Sequence, residues 1–308
     1  MVLTEWLTKR LRSYKVCFDD KRVDQNDNKM KKLVVVFTLL ATTASMTSCR
    51  KKGCTDTSAT NYDTEAKKDD GTCQWAKERN LVFSFSHNYD GTTVSSADFS
   101  DLKYTNAFGN VHSISKLMYL VSDLRLYTSD GDSVVIEGHQ LINLSDAGTL
   151  SYELDQQIPI GSYTGIGFNF GFDATDNTTG AYPDLNLANW SWPMMLGGGY
   201  HNLQFEGNFI TTVPDTIGFG YHMGTAREVV GVDTTFHENH FLVHLPNSGF
   251  TLFQDATVEV QMNIAEWFKN PNTWDLNAYN SMLMTNYTAQ GLMNANTTSV
   301  FTLGEIAQ

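Results

Sequence analysis

Apolar residues alternate with polar ones in short runs from Leu81 onward, and this period of two is the strongest local signal in the chain. Leu81-Val82-Phe83-Ser84-Phe85-Ser86 is the first run, and it stops at the turn chemistry of His87-Asn88-Tyr89-Asp90-Gly91. The pattern predicts further strands over 115–127, 133–144, 162–171, 200–210, 216–223, 240–245 and 256–264. Ser-Asp-Gly-Asp, Asp-Asn-Thr-Thr-Gly, Val-Pro-Asp and Pro-Asn-Ser-Gly lie between them, all sequences that turn a chain. Helical spacing is confined to 265–268 and 279–294, too little for a parallel sheet built from βαβ units. The expected fold is therefore all-β, an antiparallel β-sandwich of Greek-key type with a short C-terminal helix.

Composition supports a packed protein: of 308 residues 41% are hydrophobic and 18% charged. The net charge is −13, and residues 1–49 carry nine Lys/Arg against five Asp/Glu. That leaves twelve against twenty-nine in the remainder, a net of −17, which argues against a nucleic-acid partner and is compatible with collecting a cation.

The N-terminal part reads as export machinery. Residues 1–29 show no convincing pattern, whereas Met30-Lys31-Lys32 followed by LVVVFTLLATTASMTSC has the basic and apolar regions of a signal peptide. Residues 1–29 are therefore expected to be an upstream extension and 30–48 the signal peptide. The end, Ser45-Met46-Thr47-Ser48-Cys49, resembles a bacterial lipobox with Met46 in place of the commoner Leu. The resemblance implies cleavage before Cys49, lipidation of that cysteine, and an outer-membrane lipoprotein held by its lipid alone. Residues 49–79 then form an anchor and linker, and 80–308 the main domain. Within the linker, Gly53-Cys54-Thr55-Asp56 through Asp69-Asp70-Gly71-Thr72-Cys73 resembles a small module of exported proteins from Bacteroidetes-type bacteria. Cys54 and Cys73 are expected to pair, which stabilises such a loop by roughly 3 kcal/mol. No cysteine follows Cys73, so a metal in the main domain has to be held by His, Met, carboxylate or backbone.

One stretch concentrates such groups. Asn189-Trp190-Ser191-Trp192-Pro193-Met194-Met195-Leu196 runs through Gly197-Gly198-Gly199 into Tyr200-His201, and His222-Met223-Gly224 follows in a later strand. Imidazole and thioether together suit a soft or borderline cation such as Cu(I). His87, His201 and His222 stand at expected strand ends, from which they could meet at one rim of a sandwich; a metal-free core role suits each of them taken singly. Met194 and Met195 are weaker thioether candidates. Phe236-His237-Glu238-Asn239-His240 is a second cluster, but it is not the HExxH of zinc proteases. Asp173, Asp176, Asn177 and Asp184 match no fixed calcium-loop spacing. No GxSxG, P-loop or dinucleotide fingerprint is present, and an enzyme is not expected.

Taken in order, these features form a pattern. They are His87-Asn88-Tyr89-Asp90-Gly91, Tyr104-Thr105-Asn106-Ala107-x-Gly109, Leu117-x-Tyr119-Leu120-Val121-Ser122-Asp123-Leu124, the tryptophan and triple-glycine segment, His222-x-Gly224, and the close from Trp267 to Phe301. From Leu81 to Gly304 the chain resembles the MbnP-like copper-binding protein family. The resemblance implies an exported β-sandwich that binds copper, as Cu(I), for acquisition or storage. It further implies two histidines acting beside a tryptophan oxidised to kynurenine by a di-haem peroxidase-like partner, with an outer-membrane transporter as a second partner. His222 fits the histidine-before-glycine position, His201 the Gly-Tyr-His segment and His87 the first-strand position; Trp192, ahead of Trp190, fits the oxidised one. The inserted Pro193-Met194-Met195-Leu196 and the missing Gly-Cys after the second histidine depart from the family pattern and bear on kynurenine formation more than on metal binding. The rival reading is a calcium-stabilised surface lipoprotein that recognises glycan or protein through its aromatic loop at 182–200.

Overall fold

The computed structural model describes residues 50–308 apart from Ser58 and Pro214. The expected signal peptide and the expected lipidation site, Cys49, lie outside the described residues. The chain divides into two compact units: a small one up to Thr55 and over Tyr62–Thr72, and a large one of Asp56–Asn61 and Cys73–Gln308. In the small unit Lys51 bridges Asp63 and Glu65 at 2.9 and 2.7 Å. Asp69 and Asp70 there accept hydrogen bonds from the backbone of Gly71 and Thr72, as turn carboxylates do. Cys54 and Cys73 are disulfide-bonded. Among the described residues no helix is long and apolar enough to cross a membrane.

The large unit is built from strands β1 (Leu81–Tyr89), β2 (Lys116–Tyr127), β3 (Ser133–Asn143) and β4 (Gly165–Phe170). Then come helix α1 (Pro183–Leu187), strands β5 (Leu203–Ile210), β6 (Thr216–Met223), β7 (Ala226–Val230), β8 (Asp233–His237), β9 (Phe241–Leu245) and β10 (Ala256–Asn263), helix α2 (Tyr287–Val300), and β11 (Phe301–Ala307). Short strands complete an eight-stranded sheet, whose main run is β9-β4-β2-β5 with β3 and β6 also paired in, and a five-stranded sheet centred on β11-β10-β1.

Whereas β2 and β4 in the middle of the larger sheet are buried on both faces, two strands of the five-stranded sheet bury alternate residues. In β1 these are Leu81, Phe83, Phe85, His87 and Tyr89, and in β10 Ala256, Val258, Val260 and Met262. The two sheets meet through aromatic edges, Phe85 against Tyr119 at 6.2 Å and Phe168 against Phe301 at 5.2 Å. This is the expected all-β sandwich, with one departure: β1 and β10 pair in parallel. They are joined through the rest of the domain rather than by a hairpin, so no tight turn sets their relative direction.

Two further elements differ from the pattern reading. β7 and β8 form a separate two-stranded ribbon turning at Gly231, and Val229, Val230, Val232 and Phe236 on it are exposed. Its apolar residues do not alternate with burial, so no period of two marks it. Helix α2 starts later than expected, capped by Asn286, whose side-chain oxygen accepts from the Ala289 N–H at 3.0 Å. It runs directly into the unexpected strand β11.

Candidate metal centre

The centre lies on the outer face of the eight-stranded sheet. In β5, Leu203, Phe205 and Phe209 face the core, so Gln204 and Glu206 face out. In β6, Tyr221 and Met223 face the core, so His222 faces out, opposite Gln204 in register and diagonal to Glu206. His222 Nε2 lies 2.9 Å from Glu206 Oε1. Glu206 also stands 3.6 Å from Lys116 Nζ. The hydrogen bond from His222 holds the Glu206 carboxyl below its ordinary range. An ionised carboxylate only accepts, so in the neutral ring Nε2 carries the proton and Nδ1 keeps its lone pair.

The second half of the centre comes from the connection between β4 and β5, residues 171–202. Connections of that length are uncommon in compact domains and tend to be functional. This one is held by its own side chains. Asn177 Oδ1 accepts from the Tyr200 N–H at 2.9 Å, and Thr179 Oγ1 accepts from the Gly199 N–H at 2.6 Å. Tyr200 donates its hydroxyl to Asn186 Oδ1 and accepts from the Tyr182 N–H. The stretch from Trp190 to His201 folds back as a small hairpin, with Trp192 N–H donating to Gly199 O at 2.8 Å and His201 N–H to Trp190 O at 3.0 Å. Gly197, Gly198 and Gly199 all have left-handed φ, at 112°, 70° and 85°. A Cβ on Gly197 would lie 2.6 Å from Thr225, and one on Gly198 2.6 Å from Thr179. Conformation and space both require the triple glycine.

The hairpin delivers His201 beside His222, with ring centroids 5.5 Å apart and planes at 80°. Trp192 meets the His201 ring edge-on at 4.9 Å, and Trp190 lies 5.4 Å from it. His201 Nδ1 is 2.9 Å from Trp190 O. A carbonyl only accepts, so Nδ1 is the protonated nitrogen and Nε2 keeps its lone pair. Burial pushes the His201 imidazole down to about 4, and it is neutral at physiological pH. The Trp192 indole lies over Gly224: a Cβ there would sit 2.5 Å from its Cε3. Its Nε1–H donates to Leu196 O at 3.2 Å. Trp190 is fully buried in a satellite cluster with Leu120, Phe172, Leu185 and Tyr200.

Three amides lock the turn after His222. Gln290 of α2 donates through Nε2 to His222 O at 2.8 Å and accepts through Oε1 from the Gly224 N–H at 3.2 Å. Asn239 donates to Gly224 O and to Gln290 Oε1, and Asn202 donates to Asn239 O. Sequence reasoning missed Glu206, Gln290 and Asn239. The alternation of β5 places Glu206 on the outer face, but pairing it with His222 needs the register.

The other expected ligands are not part of the imidazole pair. His87 is not at the rim: its place in the β1 alternation turns it into the core, where Nε2 hydrogen-bonds the Tyr119 hydroxyl at 3.1 Å. Its ring contact is with Tyr119, not with His201 or His222. Met194 and Met195 occupy the 3-10 turn of the hairpin and are 70% and 77% exposed. His237 pairs with Glu228 at 2.9 Å, so the second histidine cluster does not close on itself. His112 is a core residue bonded to the Tyr89 hydroxyl, and His139 pairs with Asp184. Of the acidic loop, Asp173 and Asp176 come together with Asp123, their carboxylate oxygens within 4.8 Å of one another. Asn177 and Asp184 are engaged as described and do not join them.

In their neutral forms the pair offers one lone pair from each imidazole, next to an indole and screened by the hairpin. That donor set fits a borderline or soft cation of low coordination number. A family model described as MbnP matches residues 78–285. No curated protein matches the sequence. Among solved structures, MbnP from Methylosinus trichosporium is similar at 15% identity, covering 76% of this chain and 100% of that one with a TM-score of 0.48.

Proposed function

The chain belongs to the MbnP family, and we propose that it binds copper as Cu(I) between His201 Nε2 and His222 Nδ1, beside Trp192, as an exported carrier or store. Family membership supports a copper-related role in general terms. One observation carries the finer reading: each imidazole has its other nitrogen committed to an acceptor, Trp190 O for His201 and Glu206 for His222. Metal-ligating histidines are held in this way, because the second hydrogen bond sets the tautomer and aims the free lone pair. In the neutral form each ring already presents an unprotonated nitrogen, so ligation there displaces no further proton.

In this reading Trp192 is the residue oxidised to kynurenine by a di-haem peroxidase-like partner, and Cys49 carries the lipid that holds the protein at the outer membrane. Supporting the choice of Trp192 over Trp190 is its edge-on contact with His201 at 4.9 Å. Copper is cargo here, and no catalytic step is assigned to the chain.

Competition against a Cu(I)-selective chelator tests the assignment. His201→Ala and His222→Ala should each weaken binding at least a hundredfold, while His87→Ala should leave it unchanged. Retention of wild-type affinity by the double variant would remove the histidine pair from consideration. The rival reading, a calcium-stabilised glycan- or protein-binding domain, is favoured by the Asp123, Asp173 and Asp176 group. Elemental analysis of the purified protein separates the two, because calcium without copper supports the rival.

A further inference from the structure

His201 is buried, and of the pair only His222 reaches solvent, with 21% of its side chain exposed. It opens on a cleft of about 650 Å³ shared with Glu206, Met195, Met282 and Met284. The methionines come from two segments far apart in the chain. Met195 is on the 3-10 turn of the hairpin, and Met282 and Met284 flank and form the 3-10 turn at Leu283–Thr285 ahead of α2. Met195 and Met282 are 77% and 76% exposed, so neither fills a core gap, which is the ordinary use of methionine. Met282 also holds a left-handed φ of 56°, a conformation that favours Gly or Asn over a long side chain.

From this juxtaposition we infer that the cleft is a thioether entry site, where Met195, Met282 and Met284 capture a soft monovalent cation before it passes to the histidine pair. The inference rests on the copper reading above and adds a second, outer site to it. Thioether sulfur selects Cu(I) and its redox-inert analogue Ag(I) over harder ions, and it has no proton to lose. Capture at the rim is therefore expected to discriminate against Zn(II) and to survive mild acidification. Transfer inward is a ligand exchange at constant oxidation state: a sulfur lone pair leaves the cation as the Nδ1 lone pair of His222 arrives.

The test uses the full chain with 13C-labelled methionine methyl groups, the resonances assigned by single Met→Leu substitutions. Titration with Ag(I) should shift the Met195, Met282 and Met284 methyls at both pH 7.5 and pH 5, and Zn(II) should leave them in place. The shifts should persist in the His201→Ala/His222→Ala protein, so that this outcome does not depend on the inner pair. In the Met195→Leu/Met282→Leu/Met284→Leu protein, loading of the inner site from a Cu(I) chelate should slow about tenfold, with equilibrium affinity at the histidines retained. Unmoved methyl resonances under Ag(I), or an unchanged loading rate in the triple variant, would overturn the entry site while leaving the histidine assignment standing.

Discussion

His222 and Glu206 stand on neighbouring strands, one diagonal step apart, and share a 2.9 Å hydrogen bond that commits Nε2 and frees Nδ1. In the proposed copper site the carboxylate serves the ring rather than the metal. Glu206→Gln keeps a hydrogen-bond acceptor but removes its charge, whereas Glu206→Ala leaves the ring without a partner. We expect Glu206→Ala to weaken Cu(I) binding ten- to a hundredfold, and Glu206→Gln less, as measured by chelator competition. Equal affinity in all three proteins would mean that the carboxylate does not orient the ligand.

Gly224 is required by the indole above it. Gly224→Ala would bring a methyl to 2.5 Å from Trp192 Cε3, and the ring has to move. Overpacking of this kind costs about 1–3 kcal/mol. Urea unfolding should show that loss, the near-ultraviolet circular dichroism of the tryptophans should change, and Cu(I) affinity should fall with them.

Gln290 is fully buried and spans the turn from His222 O to the Gly224 N–H. In Gln290→Leu the Gly224 N–H and Asn239 lose an acceptor while His222 O loses a donor, at about 1–3 kcal/mol for each group left unsatisfied in the interior. Chemical denaturation should show this destabilisation, and the His222 ring resonances should broaden as its turn loosens. Gln290→Glu at neutral pH should be worse still, because it places a charge where the turn offers only one N–H and one amide as donors.

Acid stability follows from the core histidines. Burial holds His87 and His112 down to about 4, against 6.5 for an unperturbed imidazole. Between those pH values the unfolded chain binds more protons than the folded one, so stability is full above 6.5 and declines as the pH falls towards 4. Each histidine accounts for roughly 3 kcal/mol across that window. His201 is held down to about 4 in the same way, so His87→Leu should flatten the pH dependence by about a third and leave Cu(I) binding intact. Unfolding midpoints measured from pH 7 to pH 4 check the first part, and chelator competition the second.

Much of this was legible in the chain, and the misses have physical causes. β6 falls at Thr216–Met223 as the alternation places it, because its buried residues Phe219, Tyr221 and Met223 are large and apolar and its outward ones small or polar. The ribbon β7–β8 escaped because its apolar residues face solvent and no burial pattern marks it. His201 and His222 stood out through their glycine and tryptophan neighbours, and those neighbours do shape the centre. His87 had a comparable setting beside a turn. Yet it occupies the same parity as Leu81, Phe83 and Phe85, and counting by twos from Leu81 puts it in the core. The parallel pairing of β1 with β10 and the reach of Gln290 to His222 depend on tertiary contacts that no local period encodes.

Because the imidazole pair rides on the outside of the eight-stranded sheet, its chemistry is separable from the hydrophobic interior. On the copper reading proposed above, cargo can be taken up and surrendered with the two layers of the sandwich staying closed, since only one loop and one strand edge would handle it. The same separation lets donor identity drift by exchange of a single surface segment, with the fold left as an unaltered chassis.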